Sequence, residues 1–216
     1  MSTLRAEAAR KALHLLSAAV PLAWALALVP TSVIRIGLGA ALAVALFVEW
    51  LRRASAAFGS RFLSGLGPLL RTHEATHITG ATWLAAVMCL AVWVFPRSAA
   101  IVALWAAAVG DAMAALVGRL AAARPTAVPA AVPVTARAAE SQPLVAISAA
   151  RKTLAGSAAC AVSTAVGAAW LVQAPLPTAL GIGVIAAIAE RPRLSLDDNL
   201  RVGLAAGAAA WLLLVP

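Results

Sequence analysis

The sequence predicts an all-α integral membrane protein with about seven transmembrane helices, and three observations lead to this fold class. Hydrophobic residues make up 63% of the 216 residues and charged residues only 12%, about half the share of an ordinary soluble domain. The mean hydropathy is +0.94. The apolar residues form runs between short charged or proline-containing breaks, and runs of about 20 residues match the thickness of a lipid bilayer.

The apolar runs place seven spans in a single domain, residues 1–216. The predicted spans are 11–29, 33–51, 79–95, 98–117, 153–172, 178–189 and 200–215. The sixth is short, so we expect it to be tilted into its neighbours or to be a broken helix that lines a cavity. Arg10, Lys11 and His14 interrupt the start of the first span. We therefore expect that span to remain in the mature chain rather than to act as a cleaved signal peptide.

The distribution of charge predicts the orientation. If the N-terminus is cytosolic, all of the 17 lysines and arginines except Arg35 and Arg97 fall on the cytosolic side, as the positive-inside rule requires. The C-terminus then lies on the opposite side. The net charge of +9 is explained by attraction of basic segments to anionic lipid, so no nucleic-acid partner is expected. We expect a multi-pass protein of the bacterial cytoplasmic membrane.

Two connecting segments and two cysteines complete the organisation. Residues 52–72 mix arginine, serine and glycine with phenylalanine and leucine, which is typical of an interfacial amphipathic segment. Residues 119–150 are rich in alanine and proline, which favours an extended cytosolic loop, either a linker or a lid. Cys89 and Cys160 lie in apolar spans and predict neither a disulfide nor a zinc ribbon.

The acidic and histidine residues fall on the same predicted side as the basic residues, and this side carries the candidate chemistry. At the N-terminus, Glu7, Lys11 and His14 share one helical face, and Arg10 pairs with His14 at i, i+4. An ordinary basic anchor would explain the cations. A histidine that points into the membrane needs a partner, however.

A carboxylate lies inside the fourth predicted span. Asp111 is about two turns from the end of the apolar run, and Arg119 follows eight residues later on roughly the same face. A carboxylate at this depth requires a cation, a metal or a cavity. A structural Asp–Arg arrangement would satisfy it, but the pattern favours a Mg²⁺-nucleotide site.

Two further clusters border the last three spans. The fifth span opens on a run with two cations, two hydroxyls and a glycine, which suits phosphate at a helix N-terminus, although no P-loop spacing is present. The sixth and seventh spans are joined through adjacent carboxylates that need Mg²⁺ or a neighbouring arginine; helix capping is the structural alternative. These clusters comprise Arg151, Lys152, Thr153, Gly156 and Ser157, and Glu190, Asp197, Asp198 and Asn199.

A competing motif lies before the third span. Residues 73–77 read His-Glu-Ala-Thr-His, and on a helix such a motif places two imidazoles on one face to bind Zn²⁺, with Glu74 as general base. The sequence offers no evident third ligand, and Thr79 and Gly80 follow directly. An intramembrane zinc protease is nevertheless the alternative interpretation that this motif supports.

Five short motifs in order resemble those of the CTP-dependent lipid kinases, which include dolichol kinase, phytol and farnesol kinase and yeast-type diacylglycerol kinase, and which are related to phosphatidate cytidylyltransferases. The motifs are Arg10-Lys11-x-x-His14, Glu74 with Thr79-Gly80-Ala81-Thr82, Gly110-Asp111-x-x-Ala114 with Gly118-Arg119, Lys152-Thr153-x-x-Gly156-Ser157, and Asp197-Asp198-Asn199. They span nearly the whole chain. Ala155 lies where many relatives have a glutamate before the Gly-Ser pair, and the resulting Ala-Gly-Ser form resembles that of the phytol kinase branch.

The resemblance implies transfer of the γ-phosphate of CTP to a membrane alcohol, either an isoprenoid (phytol, farnesol or a polyprenol) or diacylglycerol. It implies Mg²⁺ held by residues among Asp111, Glu190, Asp197 and Asp198. Phosphate-binding residues would be Arg10, Lys11, Arg119, Arg151, Lys152, Thr153, Gly156, Ser157 and Asn199. The expected base is Glu74 or Asp198, followed by His14 or His77. A cytidylyltransferase that acts on a lipid phosphate is the second alternative, whereas the apolar middles of the spans disfavour a transporter.

Overall fold

The computed structural model describes residues 3–122, 152–192 and 197–214, and within these ranges the fold is all-helical without strands. Ten α-helices follow in chain order: α1 Thr3–Leu16, α2 Ala19–Ala25, α3 Thr31–Ala54, α4 Ala56–Leu66, α5 Gly80–Val94, α6 Arg97–Trp105, α7 Asp111–Ala122, α8 Leu154–Leu171, α9 Leu176–Glu190 and α10 Asp198–Leu214. Short 3₁₀ turns occupy Gly67–Leu69 and Thr72–Ala75, and a π-helical turn, Ala106–Gly110, joins α6 to α7.

The first predicted span is not one continuous helix. It divides into α1 and α2 at Ser17, because Pro21 lacks the N–H that would donate to the Ser17 carbonyl four residues earlier. That carbonyl instead accepts from the N–H of Val20 at 3.1 Å. After α2, Ala27 adopts a positive φ of 55° and the chain turns toward α3.

The other predicted spans correspond to single helices or, for the fourth, to α6 and α7 together. Three stretches, Thr31–Ala54, Arg97–Ala122 and Leu154–Leu171, are long and apolar enough to cross a membrane. The sixth predicted span forms the unbroken 15-residue helix α9, so of the two alternatives predicted for it, a tilted helix or a broken one, the broken helix is wrong. Within residues 52–72 the structure forms α4, which has no buried residues. Most of the predicted 119–150 loop lies outside the described residues.

Alanine and glycine allow the helices to pack closely. Helix α10 packs against α5, α6 and α9, and α8 packs against α7 and α9. The core contains many alanines, among them Ala103, Ala107 and Ala206, which are fully buried. At Gly183 of α9, an added Cβ would lie 2.3 Å from the Ala161 carbonyl oxygen of α8. Small residues at such points allow neighbouring backbones to approach.

This packing predicts different effects for two glycines of the same helix. We expect Gly183→Ala to destabilise the fold by about 1–3 kcal/mol, because the new methyl group meets backbone that cannot move aside. Gly181→Ala is the matched control, because the one atom of the described residues within 4 Å of its added Cβ would be Leu213 Cδ1, at 3.9 Å. The better helix propensity of alanine should favour this variant by up to about 1 kcal/mol. Apparent melting temperatures in one detergent measure both, and equal shifts would contradict the predicted packing.

Candidate active site

A cavity of about 160 Å³ lies where several helices end together. It forms between α1, the linker before α5, helix α7, the start of α8, the end of α9 and the start of α10. Cations and carboxylates line it in nearly equal number, with small residues between them. The lining residues are Lys11, Arg71, Asp111, Ala114, Ala115, Gly118, Arg119, Lys152, Thr153, Gly156, Glu190 and Asp198.

Asp111 is held by an ion pair from the first helix. The π-helical turn that precedes it ends at Gly110, and the carboxylate is only 6% exposed. The ammonium group of Lys11, which is itself buried, pairs with Asp111 Oδ2. His14 Nδ1 lies 3.9 Å from the same oxygen and has no hydrogen-bond partner in the described part of the chain. Of the three possibilities expected for this carboxylate, a cation, a metal or a cavity, the structure shows a cation, Lys11, which is distant in sequence.

Lys152 neutralises the carboxylates on the other side of the cavity. Its ammonium group lies 2.9 Å from Asp198 Oδ1 and 3.3 Å from Glu190 Oε1, and it donates to the Glu190 carbonyl oxygen. The Ser157 hydroxyl donates to Glu190 Oε2 at 3.1 Å. Arg201, one of the neighbouring arginines that the sequence offered as an alternative to Mg²⁺ for these carboxylates, pairs with Asp198 from the next helical turn. The start of α8, the end of α9 and the start of α10 are thus joined through one lysine.

The start of α8 contacts α7 closely. The Thr153 hydroxyl caps α8 by accepting from the Gly156 N–H at 3.0 Å. An added Cβ at Gly156 would lie 2.7 Å from the Ala114 carbonyl oxygen and 3.2 Å from the Gly118 Cα. Gly156 therefore permits a close helix contact, in addition to lining the cavity.

The four predicted metal ligands do not form one close group. Asp111 pairs with Lys11, Glu190 and Asp198 share Lys152, and Asp197 accepts from the N–H of Asn199 at 2.9 Å. Among the described residues, no three Asp, Glu, His or Cys side chains are close enough together to hold a metal ion.

Three of the remaining predicted site residues, Asp197, Asn199 and Arg10, do not line the cavity. Asn199 is buried and donates from Nδ2 to Asp197 Oδ1 at 2.7 Å. Burial raises the pKa of the Asp197 carboxyl, and the charge of Asp111 raises it further. Arg10 is half-buried on α1, and Arg151 lies outside the described residues.

The His-Glu-Ala-Thr-His motif is not presented on an α-helix. His73 and Glu74 lie in the 3₁₀ turn Thr72–Ala75, and both His73 and His77 are exposed. Their ring centroids are 6.4 Å apart, and His77 Nδ1 contacts the His73 carbonyl oxygen at 3.0 Å. Glu74 is 2% exposed and accepts hydrogen bonds from backbone N–H groups. The helical geometry that the zinc interpretation requires is absent here.

The sequence analysis missed a second buried network, which borders the linker. Glu49, near the end of α3, accepts from Arg52 Nε at 2.7 Å, from the Thr79 N–H at 2.8 Å and from the Thr82 hydroxyl at 3.2 Å. Arg52 in turn donates to the carbonyl oxygens of Ala75 and His77. The feature of the sequence that could have indicated this network is Glu49 itself, an isolated glutamate close to the end of an apolar span. The network fixes the linker to α3 and α5.

A compositional signal was also missed. The chain contains 15 arginines but only two lysines, Lys11 and Lys152, and both line the cavity. Lysine is a compact point charge that binds phosphate without the planar geometry of arginine.

The Glu49 network predicts unequal effects for two adjacent arginines that both pair with it. The side chains of Arg52 and Arg53 are 4% and 44% exposed. We expect Arg52→Ala to cost about 3–5 kcal/mol, because it leaves buried polar groups without their cation. Arg53→Ala, the matched control, should cost no more than about 1 kcal/mol. Denaturant titration of both variants in detergent measures the difference, and similar midpoints would refute it.

Comparisons of the chain with protein-family models, with curated proteins and with solved structures found no match. A functional assignment therefore depends on the residues and the geometry of the cavity.

Proposed function

We propose that this chain is a multi-pass membrane enzyme with seven crossings that transfers the γ-phosphate of CTP to the hydroxyl of a membrane lipid alcohol. The observation that supports this most is the cavity itself. Four cations, Lys11, Arg71, Arg119 and Lys152, surround three carboxylates at one end of the helix bundle. Such a mixture suits a substrate with several phosphate charges and a reaction that moves one proton.

Exposed apolar side chains support placement in a bilayer. Helix α3 exposes large hydrophobic side chains along its length, among them Ile36 at 71% and Trp50 at 61%, an arrangement that lipid would cover. At the helix ends opposite the cavity, Arg35 donates to the Val92 carbonyl oxygen at 3.1 Å and Arg97 donates to that of Trp24 at 2.5 Å. These are the two arginines assigned to the outer side, which is consistent with a cavity that faces the cytosol.

The size of the cavity favours phosphates over a whole nucleotide. About 160 Å³ is less than the roughly 300–1,000 Å³ of pockets that enclose a complete small ligand. The capped N-terminus of α8 contributes the positive end of its helix dipole. We propose that the triphosphate enters the cavity while the cytidine remains nearer the surface.

Mg²⁺ would enter with the nucleotide as part of the substrate, since the described residues do not form a three-ligand site of their own. Mg²⁺ in nucleotide sites commonly binds one or two carboxylates plus phosphate oxygens. Asp111 and Glu190 line the cavity and would provide the required oxygen donors. Bound in this way, Mg²⁺ would supply positive charge that offsets the charge of the triphosphate.

The proposed transfer moves one phosphoryl group from CTP to the lipid alcohol. The lipid hydroxyl oxygen forms a bond to the γ-phosphorus, the bond from that phosphorus to the β,γ-bridging oxygen breaks, and CDP leaves. The hydroxyl proton passes to Asp198, whose side chain is 30% exposed at the cavity. Asp198 is preferred to Glu74 because Glu74 does not line the cavity and its oxygens bind backbone N–H groups. Lys11 and Lys152 stabilise the charge on the transferred group.

A product analysis tests this function. Purified protein in lipid nanodiscs is incubated with Mg²⁺, CTP or ATP, and separately phytol, farnesol, a long polyprenol, diacylglycerol or phosphatidic acid. Mass spectrometry of the lipid then distinguishes the reactions. We expect one added phosphate on an alcohol, with CDP released. A CMP group added to phosphatidic acid, with pyrophosphate released, would instead identify a cytidylyltransferase, and no lipid product with any donor would contradict both.

Two cavity variants test whether the cavity is the site of that reaction. We expect Asp111→Asn and Lys152→Ala each to lower kcat by about 10²–10³-fold, the usual cost of one preorganised electrostatic contact. Arg61→Ala is the matched control, because it removes an exposed cation on α4 that does not line the cavity, and it should retain activity. Gel filtration confirms that each variant is folded. Full activity in both cavity variants would overturn the assignment.

A further inference from the structure

One cavity cation belongs to none of the predicted motifs. Arg71 precedes the 3₁₀ turn Thr72–Ala75 in the linker between α4 and α5. Its side chain lines the cavity together with Lys11 and Asp111. The linker therefore brings a guanidinium group to the ends of helices from which it is remote in sequence.

Arg71 differs from the two lysines in how it is paired. Lys11 and Lys152 each form ion pairs with cavity carboxylates. In the ranges that the structure describes, no carboxylate forms an ion pair with Arg71. Burial raises the pKa of the Asp197 carboxyl, and the charge of Arg71 acts in the opposite direction, which is consistent with a guanidinium directed toward the acidic cluster. Arg71 can thus bind an incoming anion without first giving up a carboxylate.

The backbone that carries Arg71 is fixed by Glu74. Glu74 Oε2 accepts from the Arg71 N–H at 3.0 Å, and Glu74 Oε1 accepts from the Gly80 N–H at 3.2 Å. The Glu74 N–H in turn donates a hydrogen bond to the Arg71 carbonyl oxygen at 2.9 Å. One buried carboxylate therefore ties the start of the linker turn to the start of α5.

The far side of the same turn is fixed by α3. Arg52 donates to the Ala75 carbonyl oxygen at 2.9 Å and to that of His77, and Glu49 accepts from the Thr79 N–H at 2.8 Å. With both sides held, the ordering of the Arg71 backbone does not depend on ligand binding. Preorganisation of this kind lowers the entropic cost of binding.

We infer that Arg71 is a phosphate-binding residue of this cavity and that Glu74 is its positioning residue. The inference rests on the proposed function and extends it, because it names the ligand class, a polyphosphate, and a new contact. A guanidinium can donate two parallel hydrogen bonds to one phosphate, which a lysine cannot. Glu74 acts through Arg71 and does not itself touch the substrate.

Calorimetric titration in nanodiscs tests the Arg71 contact separately from turnover. The probes are inorganic tripolyphosphate and CTP, each with Mg²⁺. We expect Arg71→Ala to weaken the binding of both by about 10- to 100-fold, the effect of losing one charged hydrogen-bond partner, and Arg71→Lys to lie between this variant and the wild type. Arg61→Ala again removes an exposed cation outside the cavity and should bind like the wild type.

A double-mutant cycle tests the role of Glu74. Glu74→Gln replaces one accepting oxygen by an NH₂ group that faces a backbone N–H, and should weaken tripolyphosphate binding in the wild-type background. In the Arg71→Ala background the same change should have little further effect, because coupled residues are not additive. If Glu74 had only a structural role, Glu74→Gln would weaken binding equally in both backgrounds.

The outcomes separate this inference from the proposed function. Tripolyphosphate binding that is unchanged in Arg71→Ala and Arg71→Lys overturns the role of Arg71 and leaves the lipid kinase intact. Arg71-dependent binding without phosphorylation of any alcohol supports the role of Arg71 and contradicts the kinase. If the wild type binds neither probe, both proposals fail.

Discussion

The burial of Asp111 within an apolar helix bundle is the constraint on which the cavity depends. A carboxylate there is costly without a nearby cation, and Lys11 supplies it from α1. The pair ties α1, which has few other contacts with the bundle, to α7. It also places His14 beside the same carboxylate. The N-terminal helix therefore contributes Lys11 to the cavity.

The polar interactions at this end of the bundle form two layers. The inner layer consists of lysine–carboxylate pairs that line the cavity, Lys11 with Asp111 and Lys152 with Asp198. The outer layer is the Glu49–Arg52 network, which binds the linker backbone and does not line the cavity. In the proposed reaction the inner pairs would exchange a carboxylate for a phosphate, whereas the outer network keeps the linker in place. Binding and scaffolding are thus carried out by different residues.

The sequence predicted much of the fold because long apolar helices follow from composition. The all-helical class and the positions of most helices required only apolar runs of sufficient length. The division of the first span at Ser17 was missed, because the effect of Pro21 depends on one particular backbone hydrogen bond. The length of α9 was also underestimated. The predicted span, 178–189, followed hydropathy alone, whereas the helix begins at Leu176 and ends at Glu190.

Sequence reasoning identified the cavity residues better than their partners. Asp111, Arg119, Lys152, Glu190 and Asp198 all line the cavity, since a charge at a membrane edge or inside a span is conspicuous. The pairing of Lys11 with Asp111 spans 100 positions, and no local spacing reports it. Arg71 and Glu49 looked like ordinary loop and helix-end charges. Only the folding of the linker reveals that one lines the cavity and the other binds the linker.

The central claim is that residues from distant parts of the chain bind the terminal phosphates of one nucleotide. The two lysines of the chain, Lys11 and Lys152, both line the cavity, so a CTP derivative with an amine-reactive acyl group on its γ-phosphate reports where that phosphate lies. Mass spectrometry of the labelled protein should find the acyl group on Lys152, Lys11 or both, and excess unmodified CTP should suppress the labelling. Labelling that CTP does not suppress, or that reaches only the N-terminal amine, would contradict the claim.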